Sequence, residues 1–252
     1  MIIEERYSKI LEIVKEKTWT SFDYLAKTLF VSESTIRRDI EAMSEKGMLV
    51  KIHGGASIIE PKTQESSIYI RENKCQKEKK YISNLASKLI KEGMSIFLDA
   101  STSSTHLIPY LANHNSITVV TNGIDTALQV INKTNLEIFL AGGQILRKTN
   151  STYGPDVISF INNITCDLVF FSCKGLSSDG KITEANNETK AIKTAMIRNA
   201  KTKVLLIDSS KFNKRFMLTT CELKDIDYII TDKMPSEEII KICKESNTTL
   251  LY

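Results

Sequence analysis

Apolar residues at the start of the chain recur at helical spacing. Tyr7, Ile10, Leu11 and Val14 fall three and four residues apart, which predicts an amphipathic helix. A second, shorter helix is predicted from Ser21 to Leu29, with Ser21 as N-cap and Phe22, Leu25, Ala26 and Leu29 facing inward. A third begins at Ser32, turns Ile36, Ile40 and Met43 to one face, and meets a natural C-terminal stop at Gly47. The run from Met48 to Ile58 then predicts a β-hairpin that turns at Gly54 and Gly55.

The pattern breaks between Glu60 and Gln76, where proline, serine and charge follow one another without an apolar period, as in a linker. Beyond it, apolar runs alternate with helical patterns. The runs are 95–98, 117–120, 137–140, 168–171, 204–207, 228–230 and 249–251. Continuous apolar strands separated by helices predict an α/β domain with a doubly wound, mainly parallel sheet covered on both faces. The expected organisation is therefore a small domain over 1–58, a linker over 59–76 and a larger domain over 77–252.

Three short helices followed by a two-stranded wing outline a winged helix-turn-helix, whose third helix enters the DNA major groove. In that helix Ser34, Thr35, Arg37 and Arg38 lie off the Ile36/Ile40/Met43 face, and Ser32 caps its start. Adjacent helical residues diverge by about 100°, so one of Arg37 and Arg38 is expected to position the helix and the other to read bases. The run Val31-Ser32, then Thr35-Ile36-Arg37-Arg38-Asp39-Ile40, followed by Gly47 and by His53-Gly54-Gly55-Ala56, resembles the signature of the DeoR family of regulators. The resemblance implies double-stranded operator DNA as partner. It places Ser32, Ser34, Thr35, Arg37 and Arg38 at the groove and phosphates, and Lys51, His53 and Gly54 of the wing against the backbone. Phe30 departs from the pattern, standing where the family's turn carries Gly or Asn, so an aromatic is expected in a strained left-handed position.

In a parallel α/β sheet, ligands sit beyond the C-terminal strand ends. Those ends are polar here: Asp99 with Ser101, Thr102, Ser103 and Ser104; Thr121 and Asn122; Gly142 and Gly143; Ser172 and Lys174; and Asp208 to Lys211. Hydroxyls and helix-start amides, with Lys174 or Lys211 as counter-charge, suit an anion such as phosphate, although any single such loop is equally explained by helix capping. This half also resembles the DeoR C-terminal sensor domain, related in fold to ribose-5-phosphate isomerase and glucosamine-6-phosphate deaminase. The matching motifs are Glu78-Lys79, Asp99 to Ser103, Thr121-Asn122, Gly142-Gly143 and Ser210-Lys211-Phe212. The resemblance implies a phosphorylated sugar effector, repression of a carbohydrate operon and a homo-oligomer, dimer or tetramer. Ser101 and Ser172 replace family glycines, so either the pocket is reshaped with new hydroxyl donors or sensing is weakened.

Composition adds mainly exclusions. A net charge of +4 over 252 residues makes bulk charge no argument for DNA, leaving local placement to carry it. Five scattered cysteines and three histidines show no metal-ligand spacing, so no metal or cofactor is expected and the thiols read as reduced and structural. No run approaches the ~20 apolar residues of a membrane span and no signal peptide opens the chain, so a cytoplasmic location without membrane contact is expected. Asp99 and Asp208 stand where an isomerase would need a base, but no Asp-Gly-Ala-Asp or Lys-Gly-Gly-Gly stretch accompanies them. A regulator rather than an enzyme is expected. A sugar-phosphate isomerase-like enzyme and a plain dimerisation module are the alternatives.

Overall fold

The computed structural model describes residues 2–17, 19–46, 48–57 and 68–252, so Gly47, Ile58 and the first half of the expected linker lie outside the described residues. The chain divides into two compact units, residues 1–74 and 75–252.

The first unit runs α1 (Ile3–Lys17), β1 (Trp19–Ser21), α2 (Phe22–Leu29), α3 (Glu33–Glu45), β2 (Val50–Ile52), β3 (Gly55–Ser57) and α4 (Ile68–Asn73). The helix starts follow capping chemistry. The Ser21 hydroxyl accepts the Tyr24 amide at 3.1 Å, and the Ser32 hydroxyl accepts that of Thr35 at 3.2 Å. Ile10, Val14, Leu25, Ile36, Ile40 and Met43 close one buried core with Met48, Leu49 and Ala56 of the wing. Two elements are absent from the hydrophobic pattern. Helix α4 occupies the end of the expected linker, and β1 joins the hairpin as a third antiparallel strand in the order β1-β3-β2. Strand β1 is only three residues long, too short for an alternation to register. It lies so close to β3 that a Cβ on Gly55 would stand 2.1 Å from the Thr20 carbonyl oxygen.

Phe30 ends α2 in the left-handed region, with φ 54° and ψ 44°, and its ring is 94% exposed. Left-handed backbone costs an L-residue about 1–2 kcal/mol, asparagine less than most, and an exposed ring returns little through burial. Phe30→Asn should therefore stabilise the full chain's N-terminal unit by about 1 kcal/mol. A lowered thermal midpoint in that variant would show that the ring stabilises the fold through contacts.

The second unit opens with α5 (Gln76–Ser87), β4 (Ser95–Leu98), α6 (Thr102–Thr105), α7 (Ile108–Leu111), β5 (Thr118–Thr121), α8 (Ile124–Lys133) and β6 (Glu137–Leu140). A hairpin, β7 (Gln144–Leu146) and β8 (Ser151–Tyr153), leads to α9 (Pro155–Asn162), β9 (Cys166–Phe171), β10 (Gly175–Leu176), β11 (Lys181–Glu184), α10 (Asn187–Arg198) and β12 (Ala200–Leu206). β13 (Leu218–Glu222), β14 (Tyr228–Ile230), α11 (Glu237–Glu245) and β15 (Thr249–Leu251) complete it.

Seven strands form one sheet in the order β15-β14-β12-β9-β4-β5-β6, every pair parallel. Alternate residues feed two separate cores. Phe97, Val169, Phe171 and Leu205 face Val157, Ile161, Ile192 and Met196, while Ile96, Leu98, Phe170 and Leu206 face Ile82, Leu107, Leu111 and Val130. Burial on both faces is why the central strands read as apolar runs; at the edge the expected cover is missing, and Phe139 and Leu140 of β6 are each 43% exposed. The chain winds outward from β4 through β5 to β6, then returns to β9 and winds the other way, so the switch point lies between β4 and β9. A second, antiparallel sheet, β10-β11-β13, has no counterpart in the apolar pattern because its strands are short and polar. Among the described residues no helix is long and apolar enough to cross a membrane.

Candidate functional site

The exposed start of α3 is a hydroxyl cluster. Ser32 Oγ stands 2.9 Å from Ser34 Oγ and 2.8 Å from Thr35 Oγ1. The two arginines that follow differ in freedom. Arg37 pairs with Glu33 one turn earlier and lies over the Phe22 ring, 4.6 Å from its centroid. Arg38 is exposed and makes no ion pair or hydrogen bond among the described residues. On the wing, Lys51 is paired with Glu41 of α3, and His53 and Gly54 form the exposed turn, Gly54 with φ 78°.

Beneath this surface lies a pair that the sequence reading missed. Arg6 of α1 donates to Asp39 of α3 through Nε at 2.5 Å and through its second terminal nitrogen at 3.1 Å, with the side chains 8% and 4% exposed. The hydrogen bond to Asp39 holds the Arg6 guanidinium above its ordinary pKa. The signal was in the pattern: Arg6 continues the Ile10/Val14 stripe, and Asp39 sits among Ile36, Ile40 and Met43, so two opposite charges occupy positions that call for apolar residues.

In the second unit the polar residues converge at the switch point. Asp99 is 1% exposed and both of its oxygens are filled. Oδ1 accepts the Ser101 amide at 3.1 Å and the Ser104 hydroxyl at 2.6 Å; Oδ2 accepts the Ser172 amide at 3.1 Å and faces Lys193 Nζ at 3.3 Å. Lys193 also donates to the Ser172 carbonyl at 2.6 Å and pairs with Glu184 at 2.5 Å. Lys193 and Glu184 are further residues missed from sequence. Lysine within a helix reads as solvated, yet Lys193 lies on the buried stripe with Met196 and Ile197. Glu184 ends one of the short polar strands.

The two serines that replace family glycines are both engaged internally. Ser101 caps α6, accepting the Ser104 amide at 3.2 Å. Ser172 Oγ accepts from Lys211 Nζ at 2.8 Å, drawing that lysine to the switch point, 3.5 Å from Asp208. Burial alone would push the Asp208 carboxyl up, but Lys211, the Ser210 hydroxyl and amide, and Lys79 outweigh it and leave its pKa below the ordinary value.

The remaining loops tie into the same edge. Thr121 Oγ1 donates to the Leu98 carbonyl at 2.7 Å, and Asn122 Nδ2 to that of Thr152 at 3.0 Å. Thr102, Ser103 and Ser104 are buried, and Ser103 Oγ and Asn122 Oδ1 have no hydrogen-bond partner among the described residues. A Cβ would be accommodated freely at Gly142, whereas at Gly143 it would stand 2.5 Å from the Val157 side chain, so Gly143 serves packing against α9. Lys174 is directed elsewhere, its ammonium 5.8 Å from the centroid of the Phe216 ring. The cysteines are unpaired, and burial pushes the Cys166 and Cys173 thiols up to about 12, which keeps them protonated and unreactive.

Comparison with known proteins gives this geometry a family. Residues 6–62 match the DeoR-like helix-turn-helix domain, and residues 74–233 match the DeoR C terminal sensor domain. The chain is 33% identical over 232 residues to the uncharacterized HTH-type transcriptional regulator YulB of Bacillus subtilis, covering 92% of this chain and 90% of that one. It is 27% identical over 247 residues to the glycerol-3-phosphate regulon repressor of Escherichia coli, covering 98% and 97%. Among solved structures it bears a distant likeness to ribose 5-phosphate isomerase A of Methanocaldococcus jannaschii, with TM-score 0.41, 15% identity and 53% of each chain covered. With both domain models matched in order along nearly its whole length, the chain belongs to the DeoR family of transcriptional regulators.

Proposed function

We propose that the protein is a cytoplasmic repressor of a carbohydrate-related operon, relieved by a phosphorylated sugar bound at the switch-point loops. In this reading α3 enters the major groove, with Arg38 reading bases and Arg37, Ser32, Ser34 and Thr35 positioning the helix on phosphates. Lys51, His53 and Gly54 set the wing on the backbone. The effector lies against Lys211, Ser103, Asn122 and the Asp99 loop, where a sugar phosphate satisfies the unpartnered Ser103 hydroxyl and Asn122 carbonyl. A homo-oligomer, dimer or tetramer, presents two winged helices to related half-sites of the operator. The name of the Escherichia coli relative, a glycerol-3-phosphate regulon repressor, supports both the sign of regulation and the effector class.

One observation carries the regulator over the isomerase: the switch-point carboxylate is consumed. A general base needs a free lone pair toward the substrate's C–H. Asp99 has four donors on its two oxygens, while Asp208 takes both Ser210 donors on Oδ1 and faces Lys211 at 3.5 Å with Oδ2. In this reading Asp99 holds loops in shape and is not a base.

The test is a gel shift on DNA flanking the protein's own coding region, with phosphorylated sugars added. The expected result is a retarded band that at least one sugar phosphate dissolves without being turned over. Arg38→Ala should weaken operator binding by about tenfold or more, since a bidentate base contact contributes about 1–3 kcal/mol, while the sugar phosphate still raises the melting temperature. Turnover of the sugar phosphate, or wild-type DNA affinity in both Arg37→Ala and Arg38→Ala, would overturn the assignment.

A further inference from the structure

Away from the switch point, α9 and α10 line a cavity of about 260 Å³ that is open to solvent. Its polar lining is Asn162, Asn187, Lys190, Thr194 and Arg198, with no carboxylate among the lining residues. Lys190, Thr194 and Arg198 are spaced four residues apart on α10 and so form one stripe along the helix. Neither Lys190 nor Arg198 has an ion-pair partner among the described residues, as is also true of other lysines of this unit such as Lys88 and Lys91; what sets these two apart is that they line one cavity with no carboxylate in it. Between the two cations lies half-buried Thr194, whose hydroxyl oxygen is shielded from water and has no hydrogen-bond partner among the described residues. Asn162 Oδ1 already accepts from Asn199 at 3.0 Å, which leaves the Asn162 amide as a donor.

Each of these features has a cost that a ligand of one kind removes. Two unneutralised cations on one stripe give the cavity a positive potential, and a hydroxyl shielded from water without a partner forfeits its hydrogen bond. An oxyanion centred over Thr194 would accept from its hydroxyl and lie four residues, about 6 Å along the axis, from each cation's backbone, well within reach of both long side chains. The cavity falls just under the 300–1,000 Å³ of ordinary ligand pockets, which limits the occupant to a small one.

We propose that the α9–α10 cavity is a second anion site, distinct from the switch-point pocket, that takes a small phosphate-bearing metabolite. The Lys190 ammonium and Arg198 guanidinium clamp the phosphate, and Thr194 donates to it from below. The site is independent of the effector reading above and stands whether or not the switch-point loops bind sugar phosphate.

The experiment is titration of the full chain with inorganic phosphate at constant ionic strength, followed by calorimetry and by the thermal midpoint. Lys211→Gln is used as background so that the switch-point pocket does not contribute. Phosphate should still bind and raise the midpoint in that background. Lys190→Gln/Arg198→Gln should lose this binding while its phosphate-free midpoint stays at or above that of the background, because two unpaired charges have been removed. Thr194→Val separates a site from a structural role. It should raise the phosphate-free midpoint, because an unsatisfied hydroxyl is gone, yet weaken phosphate about tenfold by deleting a charge-assisted hydrogen bond. Undiminished phosphate binding in the double variant, or no phosphate binding in the Lys211→Gln background, would overturn the proposal.

Discussion

Replacing Asp39 with Ala is expected to abolish operator binding and to destabilise the N-terminal unit by about 3 kcal/mol, leaving residues 75–252 folded. Removing one partner of a buried ion pair strands the other, and Arg6 would keep a full charge with side chain 8% exposed. The figure is set at the lower end of the 3–5 kcal/mol range because the pair, though screened from water, lies in a small unit with few atoms around it. For a unit of about 70 residues, at about 0.05–0.15 kcal/mol per residue, that is a large share of the total stability. The chain supplies a local probe, since its one tryptophan, Trp19, lies on β1 of this unit. Urea denaturation followed by Trp19 fluorescence should show an early transition in Asp39→Ala, with the far-ultraviolet helix signal of the second unit unmoved. The double variant Arg6→Met/Asp39→Leu should recover most of the loss, because well-packed apolar residues replace buried pairs at little cost. An unchanged Trp19 transition in Asp39→Ala would show that the pair does not hold α3 in place.

Lys193→Ala should have the larger effect on the second unit, about 3–5 kcal/mol. It leaves the Asp99 and Glu184 carboxylates, 1% and 2% exposed, without their shared cation and removes the donor that holds the Ser172 carbonyl. Because Ser172 in turn positions Lys211, the same substitution should also remove protection by sugar phosphates in whatever fraction stays folded. The checking measurement is the far-ultraviolet melt with and without ligand. Trp19 fluorescence serves as the control that the N-terminal unit is intact. Pairing Lys193→Met with Glu184→Gln removes one buried charge of each sign, and should restore part of the stability. A melt of Lys193→Ala superimposable on wild type would refute the role assigned to this network.

Much of this architecture was legible because the relevant physics is local. Ser21 and Ser32 announce helix starts through hydroxyls that reach amides three residues on, and Phe30 shows its left-handed backbone by standing between two helices where glycine is wanted. The central parallel strands announce themselves because burial on both faces leaves runs such as 96–98, 168–171 and 204–207 wholly apolar. What escaped depends on partners distant in sequence. Asp99 meets Ser172 across 73 residues, and the β11 strand that carries Glu184 is recognisable only once β10 and β13 flank it. The polar loops at the strand ends do converge on one edge of the sheet, but which hydroxyls are spent on the protein itself follows from packing alone. Ser101 caps a helix, Ser172 holds a lysine, and Ser103 is left over.

The ion pairs on the surface proposed to meet DNA carry a thermodynamic consequence. Arg37 and Lys51 already have carboxylate partners in Glu33 and Glu41, so meeting a phosphate exchanges one anion for another instead of neutralising a bare cation. Binding to polyelectrolyte DNA is driven largely by the release of condensed counterions, in proportion to the phosphates that newly bound cations neutralise. In the proposed complex Arg38 contributes to that release in full, while Arg37 and Lys51 must first displace their acids. The slope of log affinity against log salt should therefore count fewer charges than the basic residues at the interface, and affinity should owe more to fit in the groove than to attraction at a distance.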